Sequence, residues 1–234
     1  MSFFNSQEPI LRLKQTHLDI QDLDGLISWR WQINQRLIMS WLYTRIDQVF
    51  LLWGWITGLI FLVPQFFPVI SWIHQAMIGS GVSIMGLMLM TWLAWFWVTV
   101  ERLRWLIYLW IGLVLAGLLL TDYGIWKGSG LILMNLCPLW LIICSIGYVA
   151  MGLNMRSRTF LICAIFHGVA IPLLNLAPTC QFLITALVMS GSLFLLAELQ
   201  WDMRPPMTSE VLSPEQNAFN QVQQQRRRLS QLSI

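Results

Sequence analysis

Three long stretches of this chain carry no charge. No Asp, Glu, Lys or Arg occurs in residues 48–100, 128–155 or 159–197. Runs of this length are too extended for the core helices of a soluble domain and read as membrane spans. The composition agrees: 57% of the 234 residues are hydrophobic and 11% are charged, against about 25% charged in an ordinary soluble domain. A water-soluble fold of this size could not hide so much apolar surface.

Backbone groups in hydrocarbon must bond within their own segment, so the spans are expected to be helices. Barrel strands would alternate polar and apolar residues, and that alternation is absent. Six apolar segments emerge, at about 49–63, 78–100, 105–121, 131–152, 159–174 and 179–197. Pro64 and Pro68 break the first connection. Asp122, Gly124, Lys127, Gly128 and Gly130 make the third one polar and flexible. Arg156 and Arg158 separate the fourth and fifth segments, and Pro178 helps to split the last apolar run.

The basic residues orient these segments. With the N-terminus inside and six crossings, every one of the 14 Lys and Arg residues except Lys127 falls on the cytoplasmic side, as the positive-inside bias requires. Five crossings would put Arg226, Arg227 and Arg228 outside. The fold class expected is therefore an all-α integral membrane protein, a six-transmembrane-helix bundle with both termini cytoplasmic. Residues 1–47 form a cytoplasmic segment with an amphipathic, interfacial helix over about 22–47. Residues 48–199 form the bundle. Residues 200–234 form a Gln- and Arg-rich tail with a short helix over 214–230, started by Ser213 as N-cap, Pro214 at N1 and Gln216 at N3. The first twenty residues lack an apolar h-region, so no cleaved signal peptide is expected. The membrane is a bacterial inner (plasma) membrane, or a thylakoid if the source is photosynthetic.

An ionisable or strongly polar side chain inside a span is costly, which makes each one a candidate site. His167 lies in the fifth segment, Asn135 in the fourth, Gln181 near the outer end of the sixth, His74 just outside the second, and Asp122 at the end of the third. These five are expected toward mid-depth or the outer side, where they could form a ligand-binding cluster. His167 is the sort of residue that ligates haem or a pigment magnesium, or handles a proton. Against this stands a neutral imidazole bonded to Asn135 or Tyr148, which is the preferred reading. A b-type haem needs a second ligand, and only His74 is on offer.

Glu101 and Glu198 sit at the inner boundary beside Arg102, Arg104, Arg156 and Arg158, and are expected to pair with them. Small residues recur at packing intervals: Gly79, Ser83 and Gly86; Gly112 with Ala116; Ala186 with Ser190. Cys137, Cys144, Cys163 and Cys180 have neither zinc nor disulfide spacing and read as small core residues. No metal site or cofactor is expected beyond the haem or pigment option at His167. HExxH, GxSxG, Walker and GxGxxG motifs are missing, which speaks against an enzyme.

The net charge of +3 implies no nucleic-acid partner. The partners expected are the lipid bilayer, other membrane subunits, and anionic headgroups at the arginine clusters. Three functional readings follow: a non-enzymatic accessory, assembly or scaffold subunit, which is preferred; a small-solute carrier using the outer polar cluster; and a single haem- or pigment-binding protein.

Overall fold

In the computed structural model, which describes residues 3–4, 9–14, 17–33, 36–204 and 208–232, the chain is mostly helical. After a two-residue strand, β1 (Leu11–Arg12), and a one-turn helix, α1 (Ile20–Leu23), two strands form an antiparallel hairpin: β2 (Ile27–Ile33) and β3 (Arg36–Tyr43). The apolar helices then follow as α2 (Arg45–Phe66), α3 (Trp72–Val100), α4 (Arg104–Lys127), a short α5 (Gly130–Leu133), α6 (Leu136–Met155), α7 (Arg158–Leu174) and α8 (Gln181–Glu198). β4 (Gln200–Trp201) and a polar helix, α9 (Pro214–Leu232), complete the described chain.

Five of these helices are long and apolar enough to cross a membrane; α7, with 17 residues, is shorter. They surround one another in a ring: α2 touches α3, then α4, α6, α7 and α8 follow in order, and α8 returns to α2. α6 also reaches across to α8. Large apolar side chains point outward all round, among them Leu119, Ile165 and Leu187, as they do on helices whose solvent is lipid.

Local chemistry sets the helix limits. Thr44 and Asp47 form a reciprocal capping box at the start of α2, with Thr44 N–H on Asp47 at 2.8 Å and Asp47 N–H on Thr44 Oγ1 at 3.3 Å. Ser213 and Gln216 do the same for α9, at 3.2 and 2.9 Å. The turns after α3 and α6 each place a residue in the left-handed region, Arg102 at φ 56° and Arg156 at φ 52°. Leu103 N–H then bonds to Val98 O and Ser157 N–H to Gly152 O, the closing bonds of Schellman caps. Glycine usually holds that position, and a non-glycine residue there costs about 1–2 kcal/mol. The turn after α4 uses Gly128, at φ 63°.

The helix expected over residues 22–47 is replaced by the β2–β3 hairpin. Ile27, Trp29, Trp31 and Ile33 alternate with Ser28, Arg30 and Gln32, a period of two. Aromatic and β-branched residues favour extended backbone. Gly25, at φ 68° with the Arg45 side chain against it, turns the chain into β2.

Small residues seat the helices, though not all of those expected. Ser83, Ala186 and Ser190 are buried. A Cβ on Gly86 would lie 2.6 Å from Ile56, while Gly79 has Ile60 at 3.8 Å. Gly112 and Ala116 are exposed, so that pair packs against no helix among the described residues. Gly117 takes the packing role on α4, since a Cβ there would strike Ile143 and Trp140.

Candidate functional site

Among the described residues, two partly open chambers lie within the ring and share Trp53, Thr57, Trp140 and Met189 on their walls. The larger, of about 130 Å³, is lined by apolar and aromatic side chains from α2, α3, α4, α6 and α8, together with Trp201 of β4 and His167 of α7. The smaller, of about 90 Å³, lies toward the Ser71–Asp122 end and is more polar. There Ser80 donates to Asp122 at 2.9 Å, and Trp140 Nε1–H donates to Thr121 at 3.1 Å.

His167 is completely buried. Its Nδ1 lies 2.8 Å from the carbonyl of Cys163, one turn back on α7. A carbonyl oxygen only accepts, so Nδ1 carries the proton and Nε2 presents a lone pair. That Nε2 has no partner among the described residues. A buried acceptor left unpaired costs about 1–3 kcal/mol. The Tyr148 ring packs 5.0 Å away, tilted by 55°. Behind it Phe160 stacks on Tyr148, and Trp201 meets Phe160 edge-on at 4.9 Å. The expected bond from His167 to Asn135 or Tyr148 is thus replaced by one to its own helix.

The five residues expected to converge do not. His167 faces the larger chamber and Asp122 borders the smaller. Asn135 is exposed and donates to Leu131 O at 2.7 Å, a bond within its own turn. His74 is exposed beside Ser71, and Gln181 is half-buried at the start of α8. A haem or pigment ring does not fit either: pockets for drug-sized ligands run to about 300–1,000 Å³, whereas the His167 chamber has 130 Å³, and His74 is not on its wall. Among the described residues no group of three metal-ligating side chains occurs.

A second, denser polar constellation closes the arginine-rich end. Asp202, just after β4 and 3% exposed, accepts from Ser157 Oγ at 2.9 Å, Arg158 N at 3.0 Å, Arg158 Nε at 2.9 Å, Thr159 N at 3.0 Å and Thr159 Oγ1 at 2.8 Å. It caps the N-terminus of α7 from a distant segment, where the helix dipole favours an anion. Burial alone would raise its pKa. The bonds from Arg158 and Thr159 outweigh burial and hold the carboxyl below its usual value.

Beside it, α1 and α9 clasp. Asp19 takes both oxygens to Arg227 at 2.7 Å. Asn220 receives Ile20 N–H at 2.8 Å and donates to Gln21 at 3.0 Å; Gln21 donates on to Glu101 at 3.1 Å. Trp97 Nε1–H donates to Asp22 at 3.1 Å. Burial pushes Asp22 up to about 7, with the Asp19 charge adding to it. Burial also raises Asp19 and Glu101, opposed by Arg227 and Arg204 respectively.

The ion pairs expected around Glu101 and Glu198 are therefore rearranged. Glu101 bonds to Gln21, and Glu198 takes the Tyr43 hydroxyl. Arg102 pairs with Glu210 at 3.0 Å, Arg104 donates to Thr99 at 2.9 Å, Arg158 pairs with Asp202, and Arg156 lies over the Phe3 ring. Asp19, Gln21, Asp22, Asp202, Asn220 and Arg227 were not visible as a site in the sequence, because their partners lie up to 208 residues away. The buried Trp53 Nε1, also without a partner among the described residues, gave no signal either.

The chain matches no protein-family model, and no curated protein or solved structure matches it.

Proposed function

We propose that this chain crosses its membrane six times, with both termini on the cytoplasmic side, and serves as a non-enzymatic accessory, assembly or scaffold subunit of a membrane complex. The membrane is the bacterial inner membrane, or the thylakoid in a photosynthetic source. The contact of Asp19 with Arg227 supports the topology. It joins the segment before the first apolar helix to the helix after the last. Both must then lie on one side, which requires an even number of crossings. α7 supplies the sixth, since 17 residues lie at the lower end of the roughly 17–25 that suffice.

The β2–β3 hairpin carries the subunit reading. It pairs with no other strand among the described residues, and a lone two-stranded ribbon is marginal in water. Its register sets Ile27 against Tyr43, Trp29 against Trp41 and Trp31 against Met39. These three pairs alternate along the ladder with Ser28 against Leu42 and Arg30 against Ser40. Lys14 holds its base, donating to Leu42 O at 2.7 Å and to Asp47 at 2.8 Å. Three tryptophans in one short hairpin match the aromatic enrichment of protein interfaces.

Purification from a mild detergent tests the reading. Wild type is expected to retain a stoichiometric membrane partner, and a Trp29→Ser, Trp41→Ser variant to lose it while still eluting as a folded species. A wild-type chain that always runs alone, with the hairpin protected only by lipid, contradicts it.

A further inference from the structure

We infer that the smaller chamber is a binding site for a short primary alkylammonium ion, of the size of ethylammonium, with Asp122 and Ser83 accepting from its nitrogen. The inference is independent of the subunit reading, since it concerns the interior of the ring.

Charge sets the first limit. Asp122 stands on the chamber wall, and among the described residues its only partner is Ser80, which donates to the two carboxylate oxygens at 3.0 and 2.9 Å. No Lys, Arg or His lines the chamber among the described residues, and Lys127, the basic residue at the end of α4, is exposed. A carboxylate in an apolar span is costly without a cation, and one hydroxyl supplies no charge. Polarity sets the second limit. Ser83 lines the same wall, is 2% exposed, and has no hydrogen-bond partner among the described residues. It follows Ser80 by one turn of α3, so their Cβ atoms are about 5–6 Å apart. An ammonium nitrogen with charge-assisted bonds of about 2.8 Å bridges oxygens up to about 5.6 Å apart, the span of that turn. Both oxygens accept, so the ligand must donate twice from one atom, as a primary ammonium does. Lining and size set the third. The Trp72 and Phe182 rings lie 5.7 Å apart and the Phe61 and Phe182 rings 6.4 Å, all on this wall, and ring faces attract an ammonium group and its adjoining methylenes. A bare metal ion would want oxygens on every side, and most of this wall is carbon. The chamber holds about 90 Å³. A cavity of about 150 Å³ takes benzene, so about three or four non-hydrogen atoms fit here.

Equilibrium dialysis of the full-length protein in detergent against radiolabelled ethylamine, which is charged at neutral pH, tests the site. Wild type is expected to take up the label saturably, one ion per chain. Ethanol, a neutral molecule of the same size, is expected not to compete at equal concentration. Tetramethylammonium, charged but without an N–H, is expected to compete only weakly. Affinity is expected to fall at least about tenfold in Asp122→Asn, which keeps the size of the side chain, and about fivefold in Ser83→Ala. The competition series uses wild type alone, so it needs no variant to fold. Uptake by wild type that does not saturate overturns the inference. So does unchanged affinity in Asp122→Asn, or equal competition by ethanol or tetramethylammonium. Displacement of the label by an equal concentration of sodium ion also overturns it, because the site would then be one for an inorganic cation.

Discussion

The two ends of the ring are built to different rules. At the arginine-rich end the tight turns put Arg102 and Arg156 in the left-handed region, and a buried network of Asp19, Gln21, Glu101, Asp202, Asn220 and Arg227 ties the terminal segments to the helix ends. At the other end the corresponding turn uses Gly128, Trp126 and Leu131 stand exposed, and the Asn135 amide donates within its own turn. A turn that accepts backbone strain to keep a guanidinium is answering a demand other than turn geometry. Under the topology proposed above, retention of positive charge on the cytoplasmic side is such a demand. The contrast teaches that the apolar ring obeys rules common to helices in hydrocarbon, whereas the arginine-rich end is fixed by specific long-range polar pairs.

The largest expected effect comes from Asp202. Asp202→Ala removes the cap of α7 and leaves Arg158 without its buried carboxylate, so unfolding in detergent should show a loss of about 3–5 kcal/mol. Asp122→Ala, at the opposite end and bonded among the described residues only to Ser80, should cost about 1 kcal/mol or less. Equal losses would erase the contrast between the ends.

Arg227→Ala comes next. It leaves Asp19 buried and unpaired, and should release α9 to protease while the apolar ring stays intact. Adding Asp19→Asn should recover part of the protection, because the uncompensated charge is then gone. Protection unchanged in the single variant would mean that the α1–α9 clasp does not hold the tail.

The two acidic sites should also answer pH in opposite directions. The folded state holds Asp22 protonated up to about 7, from an ordinary value of 3.8, so between these limits it binds more proton than the unfolded chain does. Its contribution to the clasp is therefore fully present below about pH 4 and declines as pH rises toward 7. Asp202, held below 3.8, contributes above that value and loses its contribution as pH falls through its lowered pKa. Protease protection of α9 measured between pH 4 and 8 should fall with pH, and Asp22→Asn should flatten the fall. A profile unchanged by Asp22→Asn would assign the titration elsewhere.

The smallest effects test the turns. Arg102→Gly and Arg156→Gly should each stabilise the fold by about 1 kcal/mol through relief of left-handed strain, and Gly128→Ala should destabilise it by a similar amount. Loss of the exposed Arg102–Glu210 pair should offset little of the first gain.

Much of the ring was legible because hydrocarbon imposes one rule along the whole span: charge is excluded and the backbone bonds to itself. The breaks at Arg156 and Pro178, and the Ser213–Gln216 helix start, follow from local chemistry that a sequence carries openly. His167 stood out because a lone histidine in an apolar run is rare, but its bond to Cys163 could not be told from a bond across helices. The hairpin was misread because Leu23, Leu26 and Ile27 begin a helical spacing before the period-two pattern takes over. Gly112 and Gly117 both occupy small-residue positions on α4, and only the placement of Trp140 and Ile143 decides between them. The clasp left no trace because residues such as Ile20 and Asn220 meet only once the ring has closed.

The central claim is that both chain ends lie on the arginine-rich side of six crossings. Membrane-impermeant labelling of tags placed before residue 1 and after residue 234 tests it most directly. Both tags should be silent in intact cells and both should react in inverted vesicles. One tag reactive in each preparation would put the ends on opposite sides, and the Asp19–Arg227 clasp could not exist.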